Sequence, residues 1–149
     1  MGLKLTPKFK VTDLLKQVKD DIDRIENDIL ERFQMVGDEF VAMARSQPKP
    51  PGFGDVTGNL RSSIGYIVFR DGKPAFDDFS GETEEGKQQG YDVAMEFEDL
   101  PQSGFCLVVV AGMEYAAAVE SKGYDVISGS SLHAEKLLKE SLERLKKKL

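Results

Sequence analysis

The sequence predicts an α+β fold, in which a small, mostly antiparallel sheet is packed by a long N-terminal helix and a C-terminal helix. Two observations support this prediction. Apolar residues recur every three or four positions near both ends of the chain, and the middle holds a hairpin signal and an unbroken apolar run. The first pattern is typical of one helix face and the second of strands, so the long helix should lie across one sheet face.

The chain organisation follows from its length and composition. A chain of 149 residues with 40% hydrophobic residues fits one domain with one core. We therefore expect an N-terminal arm over residues 1–11 and a single domain over residues 12–149. Within that domain, composition predicts a proline-rich loop at 46–56 and an acidic, glycine-rich, exposed excursion at 77–90.

The long helix is predicted from Thr12 or Asp13, either of which could cap its start, and it should end before Pro48. Its apolar stripe comprises Leu15, Val18, Ile22, Ile25, Ile29, Phe33, Val36 and Phe40. Such a helix has about 33 residues and spans about 50 Å, which is more than a small domain can cover. Either part of the stripe packs on the sheet, or part of it packs on another copy.

The first strands form a predicted hairpin. Residues 62–70 are rich in β-branched and aromatic residues, and Asp71-Gly72 then predicts a tight turn into a second strand at 73–76. Pro74 has no N–H to donate to a ladder, which indicates that the second strand lies at an edge of the sheet.

The next elements are predicted with unequal support from the sequence. Residues 88–100 fit a short helix through Val93, Ala94, Phe97 and Leu100, or a strand. Residues 105–111 are apolar on both faces, which predicts a central strand covered by helices.

Two helices complete the predicted order of elements. Residues 113–121 predict a short helix that ends near Gly123. A last helix should begin at Ser130 or Ser131, and its basic end complements the negative pole of the helix dipole. Its predicted apolar residues are Leu132, Leu137 or Leu138, Leu142, Leu145 and Leu149.

The charge pattern argues against binding to nucleic acid or membranes. The net charge is −6, whereas phosphate binding depends on clustered lysine and arginine. Residues 71–99 hold ten acidic residues and two lysines, and residues 135–149 hold six basic and three acidic ones. Both segments fit solvated surface, and they also fit contacts in which one copy's acidic segment meets a neighbour's basic segment.

Residue types that carry out catalysis or bind metals are sparse. The only histidine, His133, is far in sequence from the only cysteine, Cys106, and one of each cannot build a zinc site without several carboxylates. The acidic run at 77–85 does not have the spacing of a calcium loop. We therefore expect no catalytic residue, no cofactor and no metal site, and a function other than that of an enzyme.

Two short motifs are the most informative part of the chain. The first supplies Thr57, Gly58, Leu60, Arg61, Ser63 and Ile64. The second supplies Tyr115, Ala116, Val119, Glu120 and Gly123, followed by Tyr124. Together they resemble the Thr-Gly-x-Leu-Arg-x-Ser-Ile and Tyr-Ala-x-x-Val-Glu motifs of the small tail-completion, or neck, proteins of long-tailed bacteriophages. The resemblance covers roughly residues 10–145. Ser121-Lys122 replaces the family's usual aromatic, and the acidic stretch from Asp77 to Gly90 looks like an insertion.

The resemblance implies a virion structural protein of a phage or prophage. It would act at the head–tail junction as a homo-oligomeric ring, in contact with other neck, connector or tail-tube proteins. The protein would be made in the bacterial host cytoplasm. The N-terminus has no apolar secretory segment and Cys106 has no cysteine partner, which agrees with a reducing site of synthesis.

The motif residues also suggest individual roles. Leu60 and Ile64 should point into the core, Thr57 could cap a short turn, and Gly58 permits a left-handed backbone. Arg61 and Glu120 could form an ion pair that joins the motifs, or could be two independent surface charges.

Tyr115 and Tyr124 are more typical of core or rim aromatics than of groups that stack on a ligand. The alternative function is a cytoplasmic adaptor or regulatory module that grips a partner helix with the stripe of its long helix.

Overall fold

The computed structural model describes residues 2–46, 58–112 and 128–149. It confirms the α+β class, with a three-stranded antiparallel sheet between helices. The helices are α1 (Val11–Arg45), α2 (Asn59–Ser62), α3 (Glu84–Met95) and α4 (Ser128–Lys148). The strands are β1 (Ile64–Arg70), β2 (Lys73–Asp78) and β3 (Phe105–Ala111).

The predicted hairpin is confirmed. Strands β1 and β2 pair antiparallel around Asp71 and Gly72, which have φ angles of 53° and 79°. Two successive left-handed residues match the right-handed twist of the flanking strands. The strand order β2-β1-β3 places β2, and with it Pro74, at a sheet edge. The register shifts between Val68 and Phe69 of β1, which leaves Ala75 of β2 as the extra residue.

Strand β3 is covered on both faces, as predicted, but its predicted central position is wrong among the described residues. Phe105, Leu107 and Val109 face α1 and α4, whereas Cys106 and Val110 face α3. In the described sheet β3 lies at an edge and β1 is central. A run of apolar residues on both faces indicates that a layer covers each face of the strand. It does not indicate how many strands pair with that strand within the sheet.

Two cores lie on opposite faces of the sheet. The larger joins the sheet to α1, α2 and α4, and the smaller joins it to α3. The larger core contains Phe33, Val36, Phe40, Val41, Ala44, Leu60, Ile64, Tyr66, Val68 and Ala134. The smaller core contains Ile67, Phe69, Phe79, Ala94 and Val108.

Helix α1 is buried along only part of its stripe. It begins at Val11, one residue before the predicted start, and its N-cap Lys10 makes no side-chain capping bond. The proposed caps Thr12 and Asp13 therefore lie inside the first turn. Helix α4 runs antiparallel to α1, with His133 beside Glu39 and its last turn level with residues 24–28.

The acidic segment is folded more than predicted. Its first residues belong to β2, Phe79 is buried, and α3 begins at Glu84. This settles the helix-or-strand alternative for residues 88–100 in favour of a helix that starts earlier and ends at Met95. The buried face includes Gly86 and Gly90. A Cβ on Gly90 would lie 2.4 Å from the Ser63 carbonyl oxygen, so this helix packs through its backbone and shows no apolar stripe.

Helix α4 also differs from its prediction in detail. Ser130 and Ser131 lie in its first turn, after the start at Ser128. Leu132, predicted in the stripe, is 69% exposed, whereas Ser141 is fully buried. Small residues on this face allow α4 to approach α1 closely. A search for periodic apolar residues does not detect such a face. The helix predicted at 113–121 lies outside the described residues.

Gly37 allows α1 to pack closely against the Tyr66 ring of β1, and we expect Gly37→Ala to destabilise the fold. A Cβ there would lie 2.5 Å from the Tyr66 ring. Overpacking costs about 1–3 kcal/mol, more than the gain of about 1 kcal/mol in helix propensity. Chemical denaturation would measure the loss, with Gly2→Ala as the control because nothing lies near that position. Unchanged or higher stability would contradict this packing.

Candidate assembly site

The first motif folds into a corner between α1 and β1. Gly58 has a φ angle of 79° and precedes the single turn of α2. The left-handed conformation favours glycine because it has no Cβ. Leu60 and Ile64 are fully buried in the larger core, as predicted. Thr57, the proposed cap of this turn, lies outside the described residues.

Ser62 connects the corner to the start of α3. Its side chain is almost completely buried. The Oγ accepts hydrogen bonds from the backbone N–H groups of Glu82 and Thr83, at 3.0 and 3.2 Å. The Thr83 Oγ1 in turn accepts a hydrogen bond from the Gly86 N–H at 3.3 Å, which caps α3. One buried hydroxyl therefore fixes the entry of the chain into α3.

Ser63 connects the corner to the beginning of the second motif segment. Its Oγ donates to the Leu60 carbonyl oxygen at 2.7 Å and accepts from the Gly112 N–H at 3.1 Å. Gly112 packs against Gly90 of α3. A Cβ added to Gly112 would lie 2.5 Å from the Gly90 Cα. The hydrogen bond between Gly112 and Ser63 therefore holds the end of β3, where the second motif begins, beside the first motif.

Two arginines interlock at the corner. Arg45, the last residue of α1, donates from Nε to the Arg61 carbonyl oxygen at 3.0 Å and from Nη2 to the Ile64 carbonyl oxygen at 2.8 Å. Its Nη1 donates to the Ser80 carbonyl oxygen. Arg61 returns a hydrogen bond from Nη1 to the Arg45 carbonyl oxygen. The planar guanidinium fork of Arg45 therefore ties four chain segments together.

The electrostatics of this exchange explain why carbonyl groups surround the two cations. Burial lowers the pKa of the Arg45 guanidinium, and the charge of Asp78 acts in the opposite direction. Carbonyl oxygens of the corner replace part of the water that the cation loses. Sequence reasoning missed Arg45. The only available signal was a basic residue in a last helical turn, which usually indicates an interaction with the helix dipole.

A second polar anchor holds α1 on β1. The Tyr66 hydroxyl donates to the Asp38 Oδ1 at 2.7 Å and also lies 3.2 Å from the Gln34 carbonyl oxygen. Burial, and then the bond to Asp38, raise the pKa of the Tyr66 phenol. The phenol therefore stays neutral and acts as a hydrogen-bond donor beneath α1.

The second motif lies largely beyond the described residues. Tyr115, Val119, Glu120, Gly123 and Tyr124 all fall in the segment 113–127, so their predicted roles stay predictions. The ion pair between Arg61 and Glu120 is among them. One contact of the Arg61 side chain is with the Arg45 carbonyl oxygen.

A second candidate surface is the exposed part of α1. We call it the projecting stripe, and it consists of Val11, Leu15, Val18 and Ile22. Their exposures lie between 48% and 63%, and the neighbouring Leu14 is 45% exposed. Leu3, Leu5 and Phe9 of the arm are also exposed. Contiguous apolar surface of this kind marks contact sites for proteins or ligands.

The titratable residues singled out in the sequence lie apart from both surfaces. The His133 Nε2 is 3.7 Å from the Glu39 Oε1, and both side chains are about half exposed. Burial raises the pKa of the Cys106 thiol. Within residues 2–46, 58–112 and 128–149 there is no group of three or more side chains that could hold a metal, and no helix there could span a membrane.

Comparison with known proteins gives no match to a family model, a curated protein or a solved structure.

We expect Arg45→Met to lower the free energy of unfolding by about 2–3 kcal/mol, because hydrogen bonds from a charged donor to carbonyls are lost while the aliphatic stem is kept. Arg45→Lys should recover little, since an ammonium cannot reproduce the fork. Arg24→Met is the matched control on the same helix, because that side chain is 70% exposed. Equal effects of the two methionine variants would rule out this role for the corner.

The ion-pair hypothesis for Arg61 and Glu120 is testable by charge reversal. Arg61→Glu and Glu120→Arg are measured singly and together by chemical denaturation. The double variant should recover part of the combined loss, by about 1 kcal/mol or more if the pair is buried. The cycle subtracts the lost bond from Arg61 to the Arg45 carbonyl, because both relevant variants lack it. Additive effects would exclude the pair.

Proposed function

We propose that this protein is a structural component of a phage or prophage particle, in which it forms part of a ring at the head–tail junction. The first motif carries the proposal. The projecting stripe supports it, because apolar residues on a helix that extends beyond the described part of its own domain need a protein surface to cover them. The motif resemblance supports the location. Its first motif is the corner that fixes the positions of α1, β1 and α3 relative to one another.

The corner supports this role by making the domain a rigid unit. Backbone carbonyls from three other segments accept hydrogen bonds from Arg45, and buried serines hold α3 and Gly112. A ring closes only if each subunit presents its two contact surfaces at a constant angle. A corner fixed by hydrogen bonds to the backbone provides that constancy.

The experiment is deletion of the gene in a phage or prophage that encodes it, followed by electron microscopy of the particles. Deletion should give filled heads and separate tails, and the wild-type gene supplied in trans should restore joined, infectious particles. Cryomicroscopy of intact particles should place this chain in a ring between head and tail. Fully infectious particles without the protein would refute the proposal.

The adaptor function remains the second candidate, because the projecting stripe alone fits it equally well. A helix with exposed apolar residues can pack in a groove or against a helix of a regulatory partner. Gene neighbourhood separates the two candidates. Adjacent portal, capsid and tail-tube genes favour the virion role, and their absence favours the adaptor.

A further inference from the structure

The projecting stripe has the spacing of a coiled-coil seam. From Val11 the apolar positions alternate by four and three residues along α1. They are Val11, Leu15, Val18, Ile22, Ile25 and Ile29. Alternation of four and three is the a/d pattern of helices that pack side by side. The same spacing continues through Phe33, Val36 and Phe40, which pack on the sheet, so the exposed positions extend one narrow apolar face beyond it.

The chain's own domain covers only the end of this seam. Ile25 and Ile29 are partly buried, whereas the four residues of the projecting stripe are exposed. Helix α4 ends at Lys148, level with Arg24 and Asp28 of α1. No described element therefore reaches the seam before Ile22.

Charge is distributed along this segment with a clear polarity. Residues 2–19 contain five lysines and one acid, Asp13. Residues 20–28 contain five acids and one base, Arg24. Two such segments laid parallel would place lysines beside lysines and acids beside acids. Laid antiparallel, the basic start of each segment runs toward the partner's acids, and this contact occurs twice by symmetry, whereas Lys16 and Lys19 lie near the two-fold axis.

We propose that a second copy of this chain covers the projecting stripe, with the two α1 helices antiparallel. In the register that packs Leu15 beside the partner's Val18, Val11 lies beside the partner's Ile22. All four seam positions of each copy are then covered. Lys10, directly before α1, then comes level with the partner's Asp23.

The available surface suits a small but specific interface. Standard interfaces bury about 800 Å² on each partner. Each copy offers eight large exposed apolar side chains over residues 3–22, namely Leu3, Leu5, Phe9, Val11, Leu14, Leu15, Val18 and Ile22. Because the charged contacts are at the surface, salt should weaken the dimer.

This inference does not depend on the proposed function, since it concerns the free protein whatever its cellular role. A dimer in solution would not prove a place in a virion, and failure to find the protein in particles would not exclude the dimer.

Sedimentation of the full chain over a micromolar concentration series tests the seam. The wild type should be a monomer–dimer equilibrium, and Val18→Glu with Ile22→Glu should raise the dissociation constant about a hundredfold or more. Gln17→Glu with Asn27→Glu adds the same charge off the seam and should change it little. Circular dichroism should show that all variants are folded. If the glutamate variant on the seam does not fold, the milder variant Leu15→Ala with Val18→Ala replaces it. A wild-type monomer throughout, or a dimer unaffected by the seam variants, would overturn the proposal.

Charge reversal tests the antiparallel orientation. Reversing Lys8 and Lys10 to glutamate should weaken the dimer, as should reversing Asp23 and Asp28 to lysine. Combining both sets in one chain should restore it, because opposite charges face each other again. Single sets without effect, or a combination as weak as either alone, would show that the helices are not antiparallel.

Discussion

The fold depends on burying both faces of β1. Six consecutive residues of this strand, Ile64 to Phe69, are buried, and α1 and α3 cover its two faces while β2 and β3 pair with its edges. Because both faces and both edges of β1 are occupied, the chain can lead into this strand from only one direction. The corner supplies that direction, because Arg45 holds the Ile64 carbonyl and Ser63 holds Gly112 where β3 leaves the sheet.

Sequence periodicity predicted the elements that pack through large apolar side chains. The α1 stripe and the apolar run of β3 have one physical cause, which is the burial of large apolar side chains. The hairpin turn was predicted from residues that tolerate a positive φ, Asp71 and Gly72. The elements that pack through their backbones were predicted poorly. Gly86 and Gly90 are buried, but in the sequence they are typical of a loop. Ser141 is buried in α4, but as a polar residue it does not count toward an apolar stripe.

The candidate site was predictable in its positions but not in its bonds. The motif indicated that Leu60, Arg61 and Ile64 belong to one unit, and Leu60 and Ile64 are in the core. A carboxylate partner was considered for Arg61, because residues in a sequence differ only in their side chains. One observed partner is the Arg45 carbonyl. Every residue has such an acceptor, so no residue type identifies this contact, and Arg45 was missed for the same reason.

The length of α1 links the two proposals. A helix of 35 residues is about 50 Å long, and the described part of the domain covers only the part that follows Ile22. An antiparallel pair closes on itself by two-fold symmetry, so it cannot grow into a ring through the same surface. If the protein acts in a ring, the seam of the free dimer must be released or covered by another particle component. That exchange requires only that the new contact bind the seam more tightly than the second copy does.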